Sequence, residues 1–147
     1  MTISDDYLRA TANCWEFENL SYNHERKLWV HKRTIRILRH FAENVLGLNK
    51  NQYSVRSNQA GPAISGEVTL HTNSIGEHYH GIYVQISQSY GGVDMGVLYR
   101  ACNNVADYTG KRNNHSAVSW WFADNTRMIQ FGEEVKRICQ IPAFLVV

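Results

Sequence analysis

Two periods of hydrophobic and polar residues divide the chain. In the first third, apolar positions recur at helical spacing. Tyr7, Leu8, Cys14, Trp15 and Phe17 do so roughly within Thr2 to Leu20. A stronger pattern runs from about Asn23 to Leu46, with Leu28, Ile35, Leu38, Phe41, Val45 and Leu46 on one stripe and Trp29 and Ile37 beside it. Spacings of three, four and seven residues predict one buried helical face. The opposite face carries Arg26, Lys27, Lys32, Arg33, Arg36 and Arg39, and Gly47 is placed to cap the end. A helix this long in so short a chain is expected to reach past its own core toward a partner helix, such as one from a second copy.

The middle of the chain alternates. Tyr53 to Ser57 predicts a strand, followed by a turn at Asn58 to Pro62. Ile64 to His71 sets Ile64, Gly66, Val68 and Leu70 against Ser65, Glu67, Thr69 and His71. Ile82 to Gln88 sets Ile82, Val84 and Ile86 against Tyr83, Gln85 and Ser87, and Val97 to Cys102 adds a shorter strand. These runs predict an antiparallel sheet with one face in the core and one polar face toward solvent. Asn103 to Asn114 is a polar loop. Helical spacing is read again over Ser116 to Trp121 and Asn125 to Ile141, before Pro142. Ala143 to Val147 is an apolar tail suited to a last strand or a subunit contact. The order of helices, strands and helix predicts an α+β fold with N-terminal helices, a central antiparallel β-sheet and a C-terminal helix. One domain over 1–147 accommodates it: a helical anchor or oligomerisation region at 1–48, the sheet and ligand loop at 52–115, and a C-terminal helix and tail at 116–147.

Composition narrows the classes. With 147 residues, 44% hydrophobic and 19% charged, the chain has the material for a core and is not the composition of a disordered protein. A net charge of +2 argues against binding duplex nucleic acid. Three scattered cysteines, Cys14, Cys102 and Cys139, suggest neither a disulfide framework nor a zinc motif, and point to a cytosolic setting. Met1 to Arg9 lacks the character of a signal peptide, and no apolar run approaches the ~20 residues of a membrane span.

Three groups of residues carry candidate chemistry. The polar sheet face brings Glu67, Thr69 and His71 beside Tyr83, Gln85 and Ser87, with Arg100 joining them if the registers agree. Rings, amides and a guanidinium suit a flat base and a phosphate, and they equally suit a solvated sheet face. The loop Tyr99 to His115 is rich in donors, with Asp107 as its lone acid, Gly110 allowing close backbone approach, and Lys111 and Arg112 able to meet phosphate. It has neither the spacing of a Walker loop nor that of a dinucleotide fingerprint, and it equally suits a turn closed by its own Asn and Asp. His71, His78 and His80 share the sheet region, but Glu67 and Glu77 are the only carboxylates near enough in sequence to complete a metal set. Exposed histidines without a metal are the simpler expectation. A set of Ser87, His71 and Asp107 has no sequence signature of a triad, nor do Cys14 and Cys102 have that of a nucleophile. Trp15, Trp29, Trp120 and Trp121 suit core or interface packing, and Trp15 also suits stacking on a purine.

The stretches Ser65-Gly66-Glu67-Val68-Thr69-Leu70-His71, Ile82-Tyr83-Val84-Gln85-Ile86-Ser87-Gln88, Val97-Leu98-Tyr99-Arg100 and Asp107-Tyr108-Thr109-Gly110 resemble small phage proteins of the anti-Thoeris sponge kind, the first-described Thoeris anti-defence family. The resemblance spans roughly residues 64–115, with helices preceding it in the same order. It implies a protein that sequesters a cyclic ADP-ribose isomer intact in the cytoplasm of an infected bacterial host. It also implies a homo-oligomer, dimer or hexamer, with pockets between protomers; some relatives bind cyclic oligonucleotides at a separate site. No cofactor, catalytic residue or metal is implied. By this resemblance Trp15 and Tyr83 stack on bases, Arg56, Arg100 and Arg112 meet the pyrophosphate, Asp107 holds a ribose hydroxyl, and Asn113 or Asn114 reads a base edge. Lys111 and Arg112 stand where that family has a looser, glycine-containing loop, and Thr72 to His80 is long for its hairpin. Two other functions compete: an enzyme degrading a nucleotide signal with His71 or His80 as base, and a phage protein-protein inhibitor presenting an apolar patch at Trp120, Trp121 and Phe122.

Overall fold

The computed structural model describes residues 24–57, 68–73, 81–88, 95–102 and 114–141. Helix α1, His24–His40, continues through a π-helical turn at Phe41–Val45. There the Leu46 amide donates to the Phe41 carbonyl five residues back, at 3.0 Å. Gly47 then takes a left-handed φ of 72°, open to glycine without strain, and the Leu48 amide returns to the Ala42 carbonyl at 3.0 Å. The helix buries His31, Thr34, Ile37, Leu38, Phe41 and Ala42, while Lys32, Arg33, Arg36 and Arg39 face solvent. Ile37, expected beside the stripe, lies in it, and Ile35 is only half-buried. The stripe packs on the chain's own sheet.

A short 3₁₀ turn, Lys50–Gln52, leads into a meander of five strands: β1 Tyr53–Ser57, β2 Val68–Thr72, β3 Gly81–Gln88, β4 Met95–Cys102 and β5 His115–Val118. Each pairs antiparallel with the next, in the order β1-β2-β3-β4-β5. The fifth strand corrects the helical reading of Ser116 to Trp121. In four residues, apolar spacing cannot separate strand from helix. Here the free edge of β4 decides, pairing Tyr99 with His115 and Val97 with Ala117. The 3₁₀ turn Ser119–Phe122 follows, then α2, Asn125–Cys139. Asp124 caps α2, its carboxylate accepting from the Arg127 amide at 2.8 Å. The result is the α+β fold the periodicities predict. The helical pattern at 2–20 and the apolar tail at 143–147 lie outside the described residues.

Register sorts the side chains by face. Val55, Leu70, Val84, Tyr99 and His115 form one rung across all five strands. On that face Val68, Ile82, Ile86, Val97 and Ala101 join the core under α1 and α2. Phe131 of α2 is its aromatic centre, stacked on Phe41 (4.9 Å) and Trp121 (5.2 Å) and edge-on to Tyr99 and Phe122. Gly132 lets α2 approach the π-turn: a Cβ there would lie 2.6 Å from Val45 Cγ1. Trp121 and Phe122 are buried in this core, which removes two of the three residues of the proposed exposed apolar patch. Among the described residues, no helix is long and apolar enough to cross a membrane.

Candidate site on the second face of the sheet

The other residues of each strand project to the second face. Its rungs include Ser54–His71–Tyr83–Arg100 and Arg56–Thr69–Gln85–Leu98–Ser116. The registers therefore agree as required, placing Arg100 directly across from Tyr83. Its guanidinium carbon lies 4.1 Å from the centre of the Tyr83 ring. That cation–π contact is worth on the order of 0.5–2 kcal/mol, most where water is excluded. On the other side of Tyr83 the His71 ring meets it at 4.8 Å and 65°, edge to face. Three planar groups from three adjacent strands thus form one row. The Tyr83 hydroxyl donates to Gln85 Oε1 at 2.6 Å, two residues along the same strand.

This face is not the solvated surface that alternation predicts. Arg100 is 3% exposed, His71 4% and Tyr83 7%. Alternation tells which face a side chain occupies; it does not tell whether water reaches it. His71 is accordingly not an exposed histidine. Thr69 is buried too, Gln85 is half-buried, and Arg56 and Ser116 are exposed.

Burial first, then the charges of Arg100 and Arg56, lower the His71 pKa below the ordinary histidine value. His71 is therefore a neutral imidazole at neutral pH. One of these guanidinium groups ends the row and the other, on Arg56, stands on the neighbouring rung. Among the described residues, the face holds no Asp or Glu. The set can stack on a planar group and attract an anion. It offers no carboxylate pair for acid–base work.

Of the residues singled out beforehand, Tyr83, Gln85, Arg100 and Arg56 share this face, with Arg56 on the edge strand β1. Asn114 is described and exposed, immediately before β5. Trp15, Asp107, Arg112 and Asn113 lie outside the described residues, as do His78 and His80. Thr69 and His71, which alternation over 64–71 set on the polar sheet face, lie on this face too. Cys102 and Cys139 are buried thiols outside any disulfide, and burial pushes the Cys139 pKa up to about 12, which keeps it protonated and unreactive. Among the described residues, no group of three His, Cys, Asp or Glu is gathered to hold a metal. No family model, no curated protein and no solved structure matches the chain.

Proposed function

We propose that this protein binds a nucleotide signal of the cyclic ADP-ribose kind on the second face of its sheet and holds it intact. The observation that carries the reading is the row His71–Tyr83–Arg100, a ring and a guanidinium stacked on central strands. Strands at the middle of a sheet hold such groups in fixed positions, which lowers the entropy cost of binding. Arg56 and Arg100 supply positive charge for a pyrophosphate, and Gln85, at the more open rung, supplies an amide. The resemblance of residues 64–115 to the anti-Thoeris sponges supports the same ligand class. On this reading the protein acts as a homo-oligomer in the cytoplasm of an infected bacterial host.

Sequestration asks for tight binding of a ground state and needs no preference for a transition state. A degrading enzyme would instead need a base. His71 is the described histidine on this face, and its lowered pKa makes it a weaker one.

Calorimetric titration with cyclic ADP-ribose isomers tests the proposal, followed by heating and chromatography of the released ligand. The expected result is a Kd near nanomolar, about −12 kcal/mol, with the ligand recovered unchanged. Arg100→Met is expected to weaken binding at least tenfold. An altered product would establish the enzyme reading. Absence of heat with every isomer and with cyclic oligonucleotides would refute nucleotide binding.

A further inference from the structure

We infer that a second copy of this chain pairs antiparallel on the open edge of β1, making one continuous sheet and bringing the partner's Arg56 to the end of the His71–Tyr83–Arg100 row. The inference rests on the proposed function for the ligand of the completed site, and on the fold alone for the pairing.

β1 opens the strand order, and among the described residues only β2 pairs with it. One hydrogen bond shows which backbone groups β2 uses. The Asn73 amide donates to the Gln52 carbonyl at 2.9 Å, and these two residues stand opposite each other one step beyond Tyr53 and Thr72. Bonded pairs alternate with unbonded ones in an antiparallel ladder. Ser54 and Arg56 therefore bond to His71 and Thr69, and the N–H and C=O groups of Tyr53, Val55 and Ser57 turn to the open edge. Both ends of that edge are pinned to α1. The Tyr53 hydroxyl donates to Glu43 Oε2 at 2.5 Å, and Ser57 Oγ lies 2.5 Å from His31 Nδ1. An edge held in this way is a template for another strand. The far edge is a poorer one, because β5 has four residues and runs straight into the 3₁₀ turn.

The β1 edge is complementary to itself. With Val55 opposite the partner's Val55, Tyr53 meets the partner's Ser57 and Ser57 the partner's Tyr53, so every outward donor finds an acceptor. Such a contact is isologous and closes as a two-fold dimer. In this register Ser54 stands opposite the partner's Arg56, and no like charges face each other. Centring the pair one residue later would set Arg56 against the partner's Arg56, which is unfavourable.

The apolar layer gives a second reason. α1 lies over β1 and β2, and α2 over β3 and β4. Phe41 takes the flank of α1 that faces α2, where it stacks on Phe131. At about 3.6 residues per turn, Leu28 and Ile35 fall on the opposite flank, toward the β1 edge. Both are half-buried, as is Val55 on the strand below. Pairing covers these side chains with their own counterparts. On the second face, the rung Ser54–His71–Tyr83–Arg100 then continues into the partner's Arg56. That guanidinium stands two strands from His71, about 10 Å at the usual spacing, within the span of a nucleotide stacked on the row.

Sedimentation velocity and amide hydrogen exchange on the full chain, without ligand, test the pairing. The expected result is a dimer in which the Val55 amide becomes protected as the protein is concentrated. Val55→Pro removes an N–H that β2 does not use, so the strand should keep its place and the dimer should be lost. Ser54→Lys carries the test if that variant does not fold, because Ser54 is exposed. Its ammonium faces the partner's Arg56 twice per dimer and should weaken association roughly tenfold. Adding Arg56→Glu to Ser54→Lys should restore association by setting opposite charges across the edge. A monomer at every concentration overturns the inference, as does a dimer that Ser54→Lys and a folded Val55→Pro leave unchanged, or one whose Val55 amide exchanges freely. Titration with a cyclic ADP-ribose isomer then tests the shared site. Binding at least tenfold weaker in the dissociated variants supports it, and binding at wild-type strength by a monomeric variant overturns it. A wild-type dimer that meets the pairing tests and binds no nucleotide refutes the proposed function and leaves the pairing standing.

Discussion

The two faces of the sheet are alternate residues of the same five strands, and both are buried at the centre, but they are held by different physics. On the first face, Leu70, Val84, Tyr99 and their neighbours meet Phe41, Phe122, Phe131 and Trp121. Each contact there is weak and non-directional, and the sum is large. On the second face, stability depends on direction: Arg100 over Tyr83, His71 edge-on, the Tyr83 hydroxyl into Gln85. The first face tolerates swaps that keep volume and suffers from cavities. The second tolerates little change in orientation, and it is where selective recognition can be built. The comparison teaches that burial alone does not identify a core. What a buried side chain offers its neighbours does.

The sharpest way to expose the difference is Phe131→Ala. Its ring touches Phe41, Tyr99, Trp121 and Phe122, so no single neighbour can move in to fill the space. Urea unfolding should show a loss of about 3–5 kcal/mol. A loss under about 1 kcal/mol would mean that the centre of the apolar face lies elsewhere. The second-largest effect is expected at the end of β3. A Cβ on Gly81 would sit 1.8 Å from the Thr72 carbonyl oxygen, while the Thr72 hydroxyl accepts from the Ile82 amide at 3.0 Å. Gly81→Ala must therefore part β2 from β3 where both faces begin. A cost on the order of 1–3 kcal/mol should appear in the same unfolding curves, the scale of overpacking. Wild-type stability in this variant would show that the strand ends can separate freely.

Much of this arrangement was legible in the sequence. Alternation placed Leu70 and Val84 on one face and His71 and Tyr83 on the other, with Arg100 joining them if the registers agreed, because a strand has a period of two whatever covers it. Helical spacing found α1 and α2, and Gly47 marked the end of the first. What was not legible came from tertiary choices. Four residues at His115–Val118 became a strand because β4 had an open edge, not because of their own pattern. The π-turn at Phe41–Val45 adds a residue to one helical turn and so moves the buried stripe away from an ideal helix count. The burial of Arg100 and His71 could not be read from alternation either. Charge and polarity place such residues at the surface by default, and only the stack on Tyr83 shows how they are accommodated.

A third substitution separates stability from recognition. In Arg100→Met the side chain keeps an unbranched apolar stem and loses its guanidinium. Removing a buried guanidinium relieves its desolvation, which offsets the loss of its cation–π contact with Tyr83. The unfolding free energy is expected to stay within about 1 kcal/mol of wild type, measured alongside the weakened ligand binding of the same variant. A loss of several kcal/mol would show instead that Arg100 belongs to the framework, and the polar face would then be a second core.

The smallest effect is confined to acid pH, and it belongs to His71. Burial and the charges of Arg100 and Arg56 lower its folded pKa, whereas in the unfolded chain it titrates near 6.5. Between those two values the unfolded state binds the extra proton, so stability rises with pH across that window and falls as the solution is acidified through it. Above the ordinary histidine range both states hold a neutral ring, and His71 makes no pH-dependent contribution there. The half-buried His40, also lowered by burial, adds to the same limb and keeps it from vanishing in a single variant. His71→Gln should therefore flatten, without abolishing, the decline in urea midpoint between pH 7.5 and pH 5. For the apolar face, Phe131→Ala serves as the control. It should shift the whole stability curve down and leave its slope with pH unchanged. If His71→Gln also leaves that slope unchanged, His71 is not held neutral by burial and the two guanidinium groups, and the row would lose its electrostatic distinction from the face beneath it.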